Sequence, residues 1–402
     1  MNWVEANDDN FWEKHAELIR IMSESVHKIY HGSDKLHFFY DESNNIRVFR
    51  NKNGKFNNPG ALNFVLAGIV SVKPIKIEEI SEIKNHLKLD KSTKEIKFKK
   101  SLAKKSNNFL DVISTQNLEN FLQYIIDYPE LYLHISVLNP FYYGIVDFVD
   151  ELVSDIDSKF FEELKKNDLK GYLSLLKNVL YDVLLSKYEE CSNLFWKYDF
   201  PAIKDTEVVN FIDELVSLIN SISTKEKEKK KVKEEIVILL VRKKKRIIKG
   251  SSEFIYHTNL EKDNILVKGF SELYQNKLFL FNNSKHLFDE EDTIKDDWNQ
   301  NGFLESSFSE IFNFEVSHND IRLQISDVFA GLFANLFDFL SIHTLEQLET
   351  IFNGLNRESK SYRVLCLTKR LIMKTELFES YLLHYVIPYE DIRKFRYFYE
   401  YF

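Results

Sequence analysis

Three β-rich runs, Leu36–Tyr40, Ile46–Phe49 and Leu62–Val72, crowd together early in the chain. They are separated by turn signals at Ser43-Asn44-Asn45 and at Asn51-Lys-Asn-Gly54 through Asn58-Pro-Gly60. A parallel pair needs a crossover of a dozen or more residues, so strands joined this tightly predict an antiparallel meander. Past Pro74 the pattern changes. Helical stretches over Ile75–Leu89, Phe109–Tyr128, Asp263–Tyr274 and Ile321–Leu340 alternate with strand-like runs at Leu131–Leu138, Glu253–Thr258, Lys277–Phe281 and Phe312–Ser317. A meander followed by alternating helices and strands fits an α/β protein, a mixed sheet covered on both faces.

Residues 143–246 interrupt this order with an almost wholly helical pattern, broken near Pro201 and without a fixed repeat. The chain therefore divides into an N-terminal helical extension (1–33, with an amphipathic helix over 2–30), a first half of the sheet domain (34–142) and a helical insertion (143–248). The second half of the sheet domain (249–341) and a helical C-terminal extension (342–402) follow. Only 11 Gly and 6 Pro in 402 residues agree with long regular elements. Apolar residues at 44% and charged residues at 29% allow a sizeable core and exclude wholesale disorder.

Two cysteines, Cys191 and Cys366, are too few for a disulfide framework or a cysteine zinc cluster. The first thirty residues are charged throughout, which predicts no leader, and no stretch approaches the ~18 consecutive apolar residues of a membrane span. The expectation is a soluble protein of a reducing cytoplasm, without a membrane partner. Net charge is -8, yet Lys225 to Lys249 holds twelve Lys or Arg against four Glu, a local balance of +8. Such a patch on an acidic protein suits a phosphate-backbone partner; it equally suits a solvated helix laced with i,i+4 Glu–Lys pairs.

The chemistry-bearing residues are carboxylates. Leu36-His-Phe-Phe-Tyr-Asp-Glu-Ser43 delivers Asp41 and Glu42 to the C-terminal end of a strand, where a hard cation can be held at a sheet rim. Neighbours on a strand point to opposite faces, so Asp41 is assigned to the pocket and Glu42 is turned away or supports the ligands from behind. An acidic turn would look the same. Glu95 stands in a basic segment, Lys94-Glu-Ile-Lys-Phe, where a surface ion pair is the plain alternative. Asp327 lies in an otherwise apolar helix, sharing a face with Gln324 and Gly331 at i, i+3 and i+7. Small Ala330 and Gly331 would let that face approach a sheet. A buried acid needs a partner, and a metal ion could supply one. His257 and His318 are secondary candidates. His318 belongs to Ser317-His-Asn-Asp320, which reads first as a helix cap. No P-loop, dinucleotide fingerprint, His-Glu-x-x-His or Gly-x-Ser-x-Gly occurs.

Three places together resemble a bacterial family of RNase H-like proteins, the domain-of-unknown-function family numbered thirty-eight hundred. Phe39-Tyr-Asp-Glu-Ser, followed by Asn44 where Gly is usual, then Phe64-Val-Leu-Ala-Gly, is similar to its opening and returning strands. Glu95-Ile-Lys-Phe is similar to its Glu-x-Lys element, and Leu323-Gln-Ile-Ser-Asp-Val-Phe-Ala-Gly331 to its closing helix. The likeness covers about Leu36–Asn335 apart from the insertion.

The resemblance implies an RNase H-like fold and a metal-dependent nuclease acting on DNA or RNA, in bacteria often tied to antiphage defence. It implies that Asp41, Glu95 and Asp327 hold Mg²⁺ or Mn²⁺ ions roughly 3.5–4 Å apart, with Asp41 bridging them. Lys97, His257, His318 and Gln324 would face substrate, and the Lys225–Lys249 run would touch phosphates. Where such proteins often carry His followed by Asp on a later strand, this chain has His257-Thr258; Glu261 or Asp263 could stand in. That departure leaves a second reading: a non-catalytic binding or regulatory protein. The insertion and the aromatic C-terminal tail would then serve a protein partner or a second copy.

Overall fold

The computed structural model describes residues 10–59, 62–87, 89, 95–154, 169–224, 226–253 and 264–402. It is a mixed α/β protein, 60% helical, built on a six-stranded mixed sheet flanked by helices. The sheet contains β1 (His37–Ser43), β4 (Phe64–Ser71), β5 (Leu131–Leu138), β7 (Lys285–Asp289), β8 (Phe312–Glu315) and β9 (Leu383–Val386). Their order is β8-β7-β1-β4-β5-β9. β1, β4 and β5 are antiparallel neighbours, whereas β7, β8 and β9 each pair in parallel.

Burial on both faces explains why β4 is apolar at nearly every position instead of alternating. One face packs Phe38, Tyr40, Leu66 and Phe288 against α1 (Phe11–Glu24) and α4 (Ser271–Leu280). The other packs Phe39, Ala67 and Ile135 against α2 (Gln116–Asp127), α5 (Ile321–Ile342) and α6 (Lys360–Phe378). By length and composition α5 could cross a membrane, but 72% of its apolar window is buried inside the protein. Asp320 caps its N-terminus by accepting from Arg322 N and pairs with the Arg322 guanidinium at 2.5 Å.

Several expectations are corrected. The meander is not three strands of one sheet. β2 (Phe49–Lys52) and β3 (Lys55–Phe56) form a hairpin that joins β6 (Ile265–Val267) in a separate small sheet. Turn chemistry decides this: Asn53 and Gly54 both take positive φ and close the hairpin two residues after β2 begins to pair. Lys277–Phe281 is not a strand; its residues fall in and just after α4, and β6 opens the stretch expected to be helical. The parallel neighbour of β1 is β7, in a stretch for which the sequence predicts no strand. Ile75–Leu89 is two short helices, Ile77–Ser81 and Ile83–His86. The C-terminal segment is not wholly helical either, because β9 adds an edge to the main sheet before α7 (Tyr389–Tyr401). The expected strand at Glu253–Thr258 falls largely outside the described residues, as do residues 2–9 of the first helix.

Candidate metal and phosphate site

Asp41, two residues before the end of β1, and Asp289, the last residue of β7, lie on adjacent parallel strands. Tyr40 pairs with Phe288, so the next residue on each strand, Asp41 and Asp289, lies in the same row and on the same face. That face is the one α5 covers. Asp41 is 5% exposed, in register with buried Ala67, while Glu42 pairs with Leu66 and faces the opposite side. The sequence assignment of the two acids to opposite faces agrees with this.

The segment carrying Glu95 and Lys97 is clamped to α5. Gln324 Oε1 accepts from Ile96 N at 3.0 Å, and Asp327 Oδ2 accepts from Phe98 N at 2.6 Å. Ile96 and Phe98 are buried, and the ring of Phe98 occupies the space that Gly331 leaves open, where an added Cβ would lie 2.6–2.7 Å from it. The glycine thus admits this segment and not the sheet. The close approach of α5 to the sheet belongs to Gly68, whose absent Cβ would stand 2.5 Å from Ser326 Oγ.

Alternation along the clamped segment turns Glu95 and Lys97 to the remaining side. Lys97 Nζ lies 3.2 Å from Glu95 Oε1, 3.7 Å from Asp327 Oδ1 and 3.3 Å from Ser317 Oγ. Ser317 ties the cluster together: its hydroxyl bonds Glu95 Oε1 at 3.2 Å, and its N–H donates to Asp289 Oδ1 at 2.9 Å. About a quarter of each of the Glu95, Lys97 and Asp327 side chains is exposed, so the cluster opens to solvent. Two clefts, of 570 and 370 Å³, lie elsewhere, lined by α1 and the elements packed on it.

The electrostatics follow from crowding like charges in a half-dry place. Burial, then the charges of Glu42, Asp327 and Asp289, push Asp41 well above the ordinary carboxylate range, with Lys97 opposing. Asp327 is raised by burial in spite of the Phe98 N–H and Lys97. Burial alone would pull the Lys97 ammonium down, but Asp327, Asp41 and Glu95 outweigh it and hold it above its usual value. On the opposite face, burial together with Glu291 and Asp289 lifts Glu42 to about 7.

One atom stands out. Asp41 Oδ1 accepts from Glu42 N at 2.7 Å, but the buried Oδ2 has no partner. Among the described residues no trio of His, Cys, Asp or Glu is arranged to hold an ion as the side chains stand, because the Lys97 ammonium takes the position between Glu95 and Asp327. All four acids are hard oxygen donors of the kind Mg²⁺ and Mn²⁺ prefer, and Asp41 lies close enough to Asp327 and Asp289 to be raised by their charges.

The other expected residues divide. Lys97 is in the site. Gln324 is buried and committed to the backbone of Ile96 and Ser317, so it positions the Glu95 segment instead of meeting substrate. His318 sits exposed in the Ser317–Asn319 turn. His257, Glu261 and Asp263 lie outside the described residues. Sequence reading missed Asp289, although Leu287-Phe-Asp289, like Phe38-Phe-Tyr-Asp41, is an apolar run that leads into an acid. No known family model, curated protein or solved structure matches the chain.

Proposed function

We propose that this chain is a divalent-metal-dependent nuclease on an RNase H-like sheet, hydrolysing phosphodiester bonds in DNA or RNA. The observation that carries the reading is the unpartnered, buried Asp41 Oδ2, on a residue raised by the charges of Asp327 and Asp289. A fold leaves a carboxylate oxygen dry and unpaired only at a cost of about 1–3 kcal/mol or more, which a cation would remove. The fold order supports it as well: three antiparallel strands, then parallel ones, with acids at the ends of β1 and β7.

In this reading Asp41 and Asp289 hold Mg²⁺ or Mn²⁺ from the sheet, with Asp327 and Glu95 completing the oxygen set. Such an ion, when bound, activates water and stabilises the leaving oxygen. Lys97 then turns from the carboxylates to a substrate phosphate, and Ser317 keeps Glu95 and Asp289 in place. Exposed Lys227, Lys230, Lys231, Arg242, Lys245 and Lys249 on or next to α3 (Lys227–Ile248) add sequence-independent attraction for the backbone.

The test is cleavage of single- and double-stranded DNA, RNA and hybrid with Mg²⁺ or Mn²⁺. Wild type should cut at least one, and Asp41→Ala and Asp289→Asn should fall to background while their circular dichroism stays unchanged. If wild type cuts none, the enzyme reading fails. The second reading, a binding protein of the same fold, is favoured by Lys97 acting as a built-in counter-ion. It expects nucleic-acid binding that is indifferent to divalent metal.

A further inference from the structure

A cavity of about 370 Å³ lies on the α4 face of the sheet, away from the carboxylates. It is walled by α1, α4, the end of β5 and β9, with rings of His15, Tyr143, Phe270 and Phe279 around it. That volume falls in the range of small-molecule sites. Eleven buried polar side-chain atoms among the described residues have no hydrogen-bond partner, and three of them belong to residues lining this one space: Gln275 Nε2, Asn276 Oδ1 and His384 Nδ1. Gln275 is 4% exposed. Unpaired buried polar groups are rare in native folds and mark a missing water or ligand.

The chemistry of the wall narrows the ligand. His384 is neutral, because burial and then the charge of Lys277 hold it down to about 3. Among the described residues no Lys or Arg lines the space, and Glu272 stands at its rim, bonded to the Tyr143 hydroxyl at 2.5 Å. An anion such as a phosphate would therefore be desolvated without a partner and repelled on entry. Aromatic walls favour a flat ring. One donor, one acceptor and a neutral imidazole ask for a ring edge that carries both an acceptor and a donor.

We propose that this cavity binds a neutral, planar nitrogen heterocycle of nucleobase size, held by Gln275, Asn276 and His384 between aromatic walls. The proposal does not depend on the nuclease reading, and the site is separate from Asp41.

Saturation-transfer NMR on the full chain, with adenine, cytosine and uracil as probes and indole as a ring without an acceptor, tests it. Gly269 lines the cavity, and a Cβ added there would meet only Ser271 Oγ at 3.9 Å, so Gly269→Leu fills the space without a clash at its base. At least one base should bind wild type, more tightly than indole, and lose binding in Gly269→Leu. Gln275→Leu should weaken that base about tenfold, the loss of one useful hydrogen bond. Unchanged melting of both variants separates these effects from misfolding. Three results would overturn the proposal: no base binds, so the space holds water; indole binds as well as the bases; or Gly269→Leu binds the bases like wild type.

Discussion

Asn44 follows the acids at the end of β1 with φ 57°, a backbone that suits Gly, or Asn at modest cost. Its side chain offsets that cost: Nδ2 donates to Asp338 Oδ2 at 2.9 Å and to Asn63 O at 3.1 Å, tying the rim of β1 to α5. Glu42 behaves differently from its neighbour. A carboxyl held at about 7 binds its proton more tightly folded than unfolded, so it contributes most below pH 4.5 and that contribution is lost as pH climbs to about 7. The interval corresponds to roughly 3 kcal/mol at most. Glu42→Gln should therefore melt higher than wild type at pH 8 and no higher at pH 4, in paired thermal melts across that range. Asp41 is raised for the same reason, so Mn²⁺ should raise the melting temperature more at pH 8 than at pH 5.5, and Asp41→Asn should erase that increment. Alternation along one strand was enough to separate Asp41 from Glu42 in the sequence. The raised proton affinities were not legible there, because they come first from burial and then from Asp289, Glu291 and Asp327, residues hundreds of positions away.

At the scale of elements, the centre of the site is a helix face that grips an extended segment. Gln324, Asp327 and Gly331 share a face by spacing alone, and that much was readable. What the face meets was not, since the sheet and the Glu95–Phe98 segment were equally good partners for small residues. Gly331→Val puts a Cβ within 2.7 Å of the Phe98 ring and should displace the segment. It should cost about 1–3 kcal/mol in denaturant melts, with a disproportionate loss of Mn²⁺-dependent cleavage because Glu95 and Lys97 move with Phe98. A merely destabilised protein would lose both in step. The confusion of α4 with a strand has a local cause. Lys277-Leu-Phe-Leu-Phe281 has β-rich composition, but it is buried all round, and a short apolar run carries no period to distinguish helix from strand.

For the whole molecule, the basic run and the aromatic tail look less available than their composition implied. Lys229 pairs with Asp182 at 2.9 Å, Lys244 with Asp213 at 2.5 Å and buried Lys243 with Glu151 at 3.2 Å, so part of the +8 is spent inside the helical layer. The tail aromatics pack inward, Phe395 on Phe337 at 4.9 Å and Tyr397 on Phe352 at 6.0 Å. Charge and composition could be counted from the sequence, but long-range pairing could not. Removing residues 383–402 strips β9 from β5 and should leave an unpaired parallel edge. The shortened chain should elute as aggregate in size-exclusion chromatography where the full chain gives a sharp peak; a sharp peak from both would show that β9 is dispensable.

The sheet's chain order also sets a timetable for synthesis. β1, β4 and β5 have left the ribosome once Leu138 has emerged, yet the partner on β1's free side begins only at Lys285 and the partner on β5's free side only at Leu383. At about 5–20 residues per second, the first wait lasts roughly 7–30 s and the second longer. Throughout that interval the nascent chain carries three strands bare along both sides, with the helices Pro140–Ser154, Leu169–Leu185, Tyr188–Lys197, Val208–Ser221 and Lys227–Ile248 emerging after them. Over that interval both edges are open to pairing with other chains, which couples the yield of native protein to the pace of translation.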